Sequence, residues 1–307
     1  MRDMTLGSDE YFAHGSRSIA AVRSAIQRIL IQATPREIPK LYQRFADQLC
    51  PNDVVLTFNY DTLLEQALDD IGKPYSLTPE WWLTDASGFQ PKFVDVLKLH
   101  GSIDWYDRHY LDAAMRWHSE QGQDVPNRDP IFGLSPSVPS EPLSRGQTNV
   151  EFGNHILPRV FRVPEHREHF PIEGRVVSSI VPFMLPPAYD KLLGNDPILD
   201  LWENLHRTQD AYSSIVVIGY SMPSHDSYAY EMLGRLLVKY QQGGDATYWE
   251  HRRVPIQLVT LADSEQDALK CAPFLDPAKT RVWSRGFQTD CLDWIDWGDG
   301  VDNPVVS

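Results

Sequence analysis

The chain has 307 residues, 42% hydrophobic and 23% charged, a folded globular composition that excludes a disordered chain. Its net charge of −14 excludes a general electrostatic attraction to nucleic acid or anionic membranes. Cys50, Cys271 and Cys291 are scattered and form no CxxC pair, and they read as the reduced thiols of a cytoplasmic protein, not as a disulfide framework or a zinc site.

In chain order, "SRSIAAVRSAIQRILIQA" spaces Ile19, Val22, Ile26, Ile29 and Leu30 along one face of a helix. Its apolar stretch, like every other in the chain, falls short of the roughly 18 residues of a membrane span, and the first residues lack a signal-peptide core. Thr34-Pro35 has the form of an N-cap followed by a first-turn proline. It predicts a second helix carrying Ile38, Leu41, Tyr42, Phe45 and Leu49 inward. After the turn Pro51-Asn52-Asp53, "VVLTF" reads as a short buried strand, and Asp61 to Ile71 as a helix closed by Gly72 and Pro74. Phe93 to Leu99 is the next strong strand, and it stops at His100-Gly101.

Between Trp105 and about Ser178 the periodicity weakens. Eleven of the 23 prolines fall between Pro126 and Pro187, so this stretch reads as an irregular insertion. Order returns with the strand "SSIVPFM", a helix from Ile198 to Tyr212, and the strand "SSIVVIGYS". A helix starting near His225, the strand "PIQLVTLAD" and a helical tail "FQTDCLDWIDW" complete the pattern.

Apolar strands separated by helices predict an α/β fold, a Rossmann-like, mostly parallel sheet with helices on both faces. Residues 1–50 form N-terminal helices, 51–104 and 178–307 the core, and 105–177 the insertion or a small subdomain. Ligands of such sheets bind beyond the carboxyl ends of the strands. Three polar groups fall there: Asn59 to Asp61, His100-Gly101-Ser102 and Gly219-Tyr220-Ser221.

Each has a plainer reading. Thr57 or Asp61 suits a helix cap, whereas Asn59 exceeds what one cap needs. His100 reads either as a buried, hydrogen-bonded core histidine or as a general base at the rim. Gly219 to Ser221 reads as a tight turn with Ser224 or Asp226 capping the next helix, or as a phosphate or ribose turn. "PEHREHFP" holds His166 and His169 but matches no zinc-protease spacing, and no metal is expected. The paired tryptophans Trp81-Trp82 and the Trp294 to Trp297 stretch read as core and interface.

Thr-Phe-Asn-Tyr-Asp, Leu-His-Gly and Ile-Gly-Tyr-Ser on successive strand ends resemble the sirtuin-like family. The closer likeness is to its bacterial NAD-consuming branch in phage defence. The resemblance spans about residues 50 to 265 apart from the insertion. It lacks the zinc-binding CxxC pairs of protein-deacetylating sirtuins and the opening strand with its Gly-Ala-Gly-x-Ser loop, so the chain looks like a member without that first unit.

The resemblance implies hydrolysis of NAD to nicotinamide and ADP-ribose, with NAD as substrate, as an NAD-depleting antiviral effector. Asn59 and His100 would be catalytic, and Thr57, Asp61, Gly219 and Ser221 would bind the dinucleotide. Asp263 is a further candidate for the adenine ribose. A homo-oligomer or a partner defence protein is expected, with no nucleic acid and no membrane. The alternatives are a non-catalytic nucleotide-binding or assembly subunit with an incomplete NAD pocket, and an ADP-ribosyl transferase with a protein acceptor.

Overall fold

A computed structural model describes residues 14–51, 53–79, 92–107, 141–143, 160–163, 182–185, 198–199, 201–202, 205, 212–220, 226–243 and 254–298. The chain divides into two compact units, Met1–Pro186 with Asp190–Leu201, and Pro187–Tyr189 with Trp202–Ser307. The fold is α/β with parallel sheets, as the alternation of strands and helices requires.

The first unit opens with helices α1 (His14–Ala33) and α2 (Lys40–Gln48). Strand β1 (Val54–Thr57), helix α3 (Leu63–Asp70) and strands β2 (Tyr75–Ser76) and β3 (Val94–Lys98) follow. These strands form a parallel sheet of order β1-β3-β2, with Thr57 opposite Lys98. Every residue of β3 is buried, which explains why "VDVLK" shows no alternation: both of its faces are covered. Leu68, Val94, Val96, Leu97 and Leu99 belong to this core.

The chain does not leave the sheet at His100 as a loop. It turns over Leu99 and His100 and enters β4 (Gly101–Asp107), which pairs antiparallel with β6 (Val160–Arg162) and β7 (Pro182–Met184). With β5 (Glu141–Pro142) the order is β5-β6-β4-β7. Gly101 makes the turn possible. Its φ is +79°, and a Cβ there would lie 2.0 Å from the carbonyl oxygen of Phe183.

Two helical expectations need correction. Thr34 closes α1, donating its N–H and its hydroxyl to the carbonyl of Leu30. The second helix starts later, because Pro39 supplies the carbonyl for the first-turn N–H groups of Tyr42 and Gln43. At the other end, Lys73 donates to the carbonyls of Ala46, Asp47 and Leu49, satisfying groups the last turn leaves free.

The apolar face read on α1 is only partly covered: Val22 and Ile29 are exposed, while Arg23 and Gln27 are buried. Gln27 donates from Nε2 to the carbonyl of Ile103 at 2.5 Å, and the Tyr106 hydroxyl lies 2.8 Å from the same nitrogen. Tertiary hydrogen bonding has thus overridden the hydrophobic pattern. Gln27→Met keeps the volume but strips the Ile103 carbonyl of a partner. Urea unfolding should show a loss of about 1–3 kcal/mol.

In the second unit β8 (Val216–Ile218), α4 (Ser227–Gln242), β9 (Ile256–Val259), α5 (Glu265–Lys270), β10 (Thr280–Trp283) and α6 (Thr289–Trp294) form another α/β assembly. Its sheet is parallel with order β10-β9-β8. Leu237 and Tyr240 of α4 pack on Ile256 and Leu258. Asp226 caps α4 by accepting the Ala229 N–H. In the helix expected from Ile198 to Tyr212, residues 198–199, 201–202 and 205 are helical and Tyr212 is not. Among the described residues no helix is long and apolar enough to cross a membrane.

Candidate functional site

The parallel ladder of the first unit ends where the Leu99 N–H donates to the Thr57 carbonyl. Beyond it β1 becomes the tip Phe58 to Asp61, and β3 the turn bearing His100. Thr57 shapes the start of the tip by accepting the Asn59 N–H on its hydroxyl at 3.1 Å. Asp61 shapes the end, where Oδ1 accepts the Leu63 N–H at 3.0 Å. The capping reading of Asp61 is therefore present in the geometry. Only one oxygen is used, since Oδ2 takes no hydrogen bond among the described residues.

Asn59 is exposed, and its carboxamide takes no hydrogen-bond partner among the described residues. A side chain held on an ordered turn and left open to solvent is available to a ligand. The aromatic residues flanking it both face His100. The Phe58 ring meets the imidazole edge-on at 4.8 Å between centroids, and the Tyr60 ring lies at 6.2 Å. His100 is 6% exposed. The tip and the histidine, 41 positions apart in sequence, thus share one end of the parallel sheet.

Four further contacts fix the tip from below. The Ile103 N–H donates to the Tyr60 carbonyl at 3.0 Å, and the Ser102 hydroxyl reaches the same oxygen at 3.3 Å. The Tyr60 hydroxyl donates to the Leu185 carbonyl. Lys98, fully buried, donates from Nζ to the Asp61 carbonyl and to Glu65 Oε1, the latter at 2.7 Å.

Behind this pair, Arg162 donates from Nε to Asp104 at 2.8 Å and from Nη1 to the Tyr75 hydroxyl at 2.8 Å. Burial pushes the Glu65 carboxyl above its ordinary value, against the pull of Lys98. Burial opposes the charge of Arg162 too, yet Asp104 and Tyr75 beside it hold its pKa above the usual guanidinium value. Burial, with the charge of Asp61 nearby, raises Tyr42 as well.

Gly219 sits in the second unit directly after β8, exposed, at a φ of +66° with open space where a Cβ would stand. Its own N–H is taken by the Val259 carbonyl at 2.8 Å. Ser221 and Ser224 lie outside the described residues, as do Trp81-Trp82 and the His166 to His169 stretch. Asp263 is exposed, next to the Ser264 cap of α5. Among the described residues no group of His, Cys, Asp or Glu is placed to hold a metal ion.

Sequence reasoning passed over Glu65 and Lys98. One signal was available: a lysine inside the apolar run "FVDVLKL" is a charge with nowhere to go but the core, and such a charge needs a partner.

Comparison with known proteins bears on this same segment. The sequence profile of the SIR2-like domain matches residues 53–114. No curated protein matches the chain. The matched stretch contains the tip, Glu65, Lys98, His100 and Gly101, so it is this half-sheet and its polar end that resemble a SIR2-like domain, in support of the sirtuin-like likeness of the motifs.

Proposed function

We propose that the chain cleaves NAD to nicotinamide and ADP-ribose, acting as an NAD-depleting effector in antiviral defence. The observation that carries this is the Asn59 carboxamide, which takes no hydrogen bond among the described residues, on an ordered tip whose neighbours pack against His100, within the segment similar to a SIR2-like domain.

The chemistry suits these residue types. Nicotinamide leaves as a neutral base: the bond from C1′ to the ring nitrogen breaks, and its electron pair returns to the pyridinium. No acid is needed to protonate the leaving group, unlike an ordinary glycosidic oxygen. Water supplies the new C1′–O bond and gives up its proton to His100 as general base. Asn59 orients that water or a ribose hydroxyl, while the free oxygen of Asp61 accepts from the nicotinamide amide. The Phe58 and Tyr60 rings supply an apolar wall that limits the imidazole's contact with bulk water.

A second reading has its own support. The described residues 14–51 form two helices and contain no strand with a glycine-rich phosphate loop. The corresponding reading is a nucleotide-binding or assembly subunit that does not turn over NAD, and its signature is binding of the dinucleotide without release of nicotinamide. Nicotinamide release by the purified protein, alone and with a co-purifying partner, tests the first reading. Calorimetry with NAD and ADP-ribose tests the second: a binding subunit gives heat without release, and a pure scaffold gives neither. Labelled NAD separates hydrolysis from transfer, since a transferase leaves label on protein.

A further inference from the structure

Lys98 is the last residue of β3 and is completely buried. An ammonium in a protein core is retained against a large desolvation penalty, and apolar replacements of a buried ion pair are often as stable or more so. Packing alone therefore does not account for it. Its two partners come from adjoining segments: the backbone carbonyl of Asp61 in the connection between β1 and α3, and the carboxylate of Glu65 in the first turn of α3.

The position matters as much as the partners. Thr57 and Lys98 are opposite one another, the last paired residues of β1 and β3. Asn59 follows Thr57 by two residues, and His100 follows Lys98 by two. The regular ladder stops at this level, so nothing in it sets the distance between the Asn59 carboxamide and the imidazole. The Lys98 side chain bridges the gap: it grips the tip at Asp61 from the strand that delivers His100, and through Glu65 it holds the helix into which the tip runs.

We propose that Lys98, with Glu65, is a positioning pair that sets Asn59 relative to His100. This rests on the NAD-cleaving reading of the site. Neither residue touches the substrate. The pair acts through the Asp61 carbonyl, and its role is to keep a solvent-exposed side chain from wandering, as rigid support does for any preorganised site.

The test is the double substitution K98M/E65L, which removes both charges while keeping the volume, so that neither ion is left buried alone. Its melting temperature should fall by a few degrees at most, the cost of leaving the Asp61 carbonyl without its donor. Its kcat for NAD cleavage should fall about 100-fold with KM changed by no more than about threefold, the split expected when an interaction made in the transition state is lost. Amide exchange at residues 58–63 should accelerate by about tenfold or more, while exchange at 256–283 stays unchanged. A folded double variant with wild-type kcat overturns the proposal, and so does unchanged exchange at 58–63.

If K98M/E65L does not fold, Glu65→Gln is read in the same way, with an expected kcat loss of about tenfold. Wild-type kcat in E65Q is then the overturning result. Wild-type protein inert toward NAD removes the NAD reading instead, and the exchange measurement alone decides whether the pair holds the tip.

Discussion

Replacing Asn59 by alanine is expected to lower NAD cleavage about 10²–10⁴-fold, the range for losing a group that positions the nucleophile or the transferred proton. Stability should change by no more than about 0.5 kcal/mol, because an exposed surface substitution removes little folding energy. The side chain of Asn59 makes no hydrogen bond within the described protein, and its backbone N–H to Thr57 Oγ1 survives the change. A large loss of rate in a protein that melts normally would therefore be a chemical effect.

His100→Ala should abolish activity to a similar degree, but it also deletes a ring packed edge-on against Phe58. Its stability needs a separate thermal measurement before the rate is interpreted. Steady-state nicotinamide release, with both variants beside the wild type, checks the pair. Full activity in both would show that the polar end of this sheet is a helix cap and nothing more.

Gly101→Ala should be among the most destabilising single substitutions in the first unit. Left-handed backbone costs a residue with a Cβ roughly 1–2 kcal/mol, and forcing an atom into a filled space typically costs about 1–3 kcal/mol more. Here the added methyl would meet the Phe183 carbonyl oxygen at 2.0 Å and its carbon at 2.9 Å, backbone atoms of a paired strand that cannot step aside as a side chain does. The expected loss is about 3 kcal/mol or more, a large share of the roughly 5–15 kcal/mol that a domain has in total.

Gly72→Ala serves as the control. Its φ of +68° carries the same backbone strain, but nothing lies within 4 Å of the new methyl. It should lose only about 1 kcal/mol. Urea unfolding of the two variants side by side isolates the steric part. Equal losses would mean that the Gly101 turn opens to make room, and that His100 is less firmly placed than its contacts indicate.

The strands and helices around the site were legible in the sequence because each is announced by local chemistry. "VVLT" and "VDVL" are β-formers without a polar face, and the residues after each are polar and turn-forming. The tip and His100 could be marked for the same reason, as amide, carboxylate and imidazole groups at strand ends where α/β sheets take their ligands. Gly101 stood out as a glycine at a turn. That it starts a second, antiparallel sheet did not, because pairing with β6 and β7 joins residues about 55 to 80 positions away, and no local pattern records a partner that distant.

The polar core was hidden for the same physical reason. Glu65 in an isolated α3 is an ordinary first-turn acid, favourable beside the helix N-terminus on local grounds. Asp104 precedes the poorly patterned stretch and Arg162 lies within it, and nothing local pairs the two. Only when β3 lies beside β1, and β6 beside β4, do the four charges leave water together and become two ion pairs. The α1 surface makes the converse point. Its apolar residues were correctly seen to share a face, yet burial went instead to Gln27, whose partner is a backbone carbonyl of β4 that helical periodicity cannot foresee.

What the sequence determined by itself was therefore the kind of the elements that carry the site, β1, α3 and β3, and the chemistry at their ends, since both depend on neighbours within a few residues. What the tertiary structure alone decided was which of those ends meet and which charges are buried. These depend on pairings between segments far apart in the chain, where desolvation and strand register outweigh any local preference.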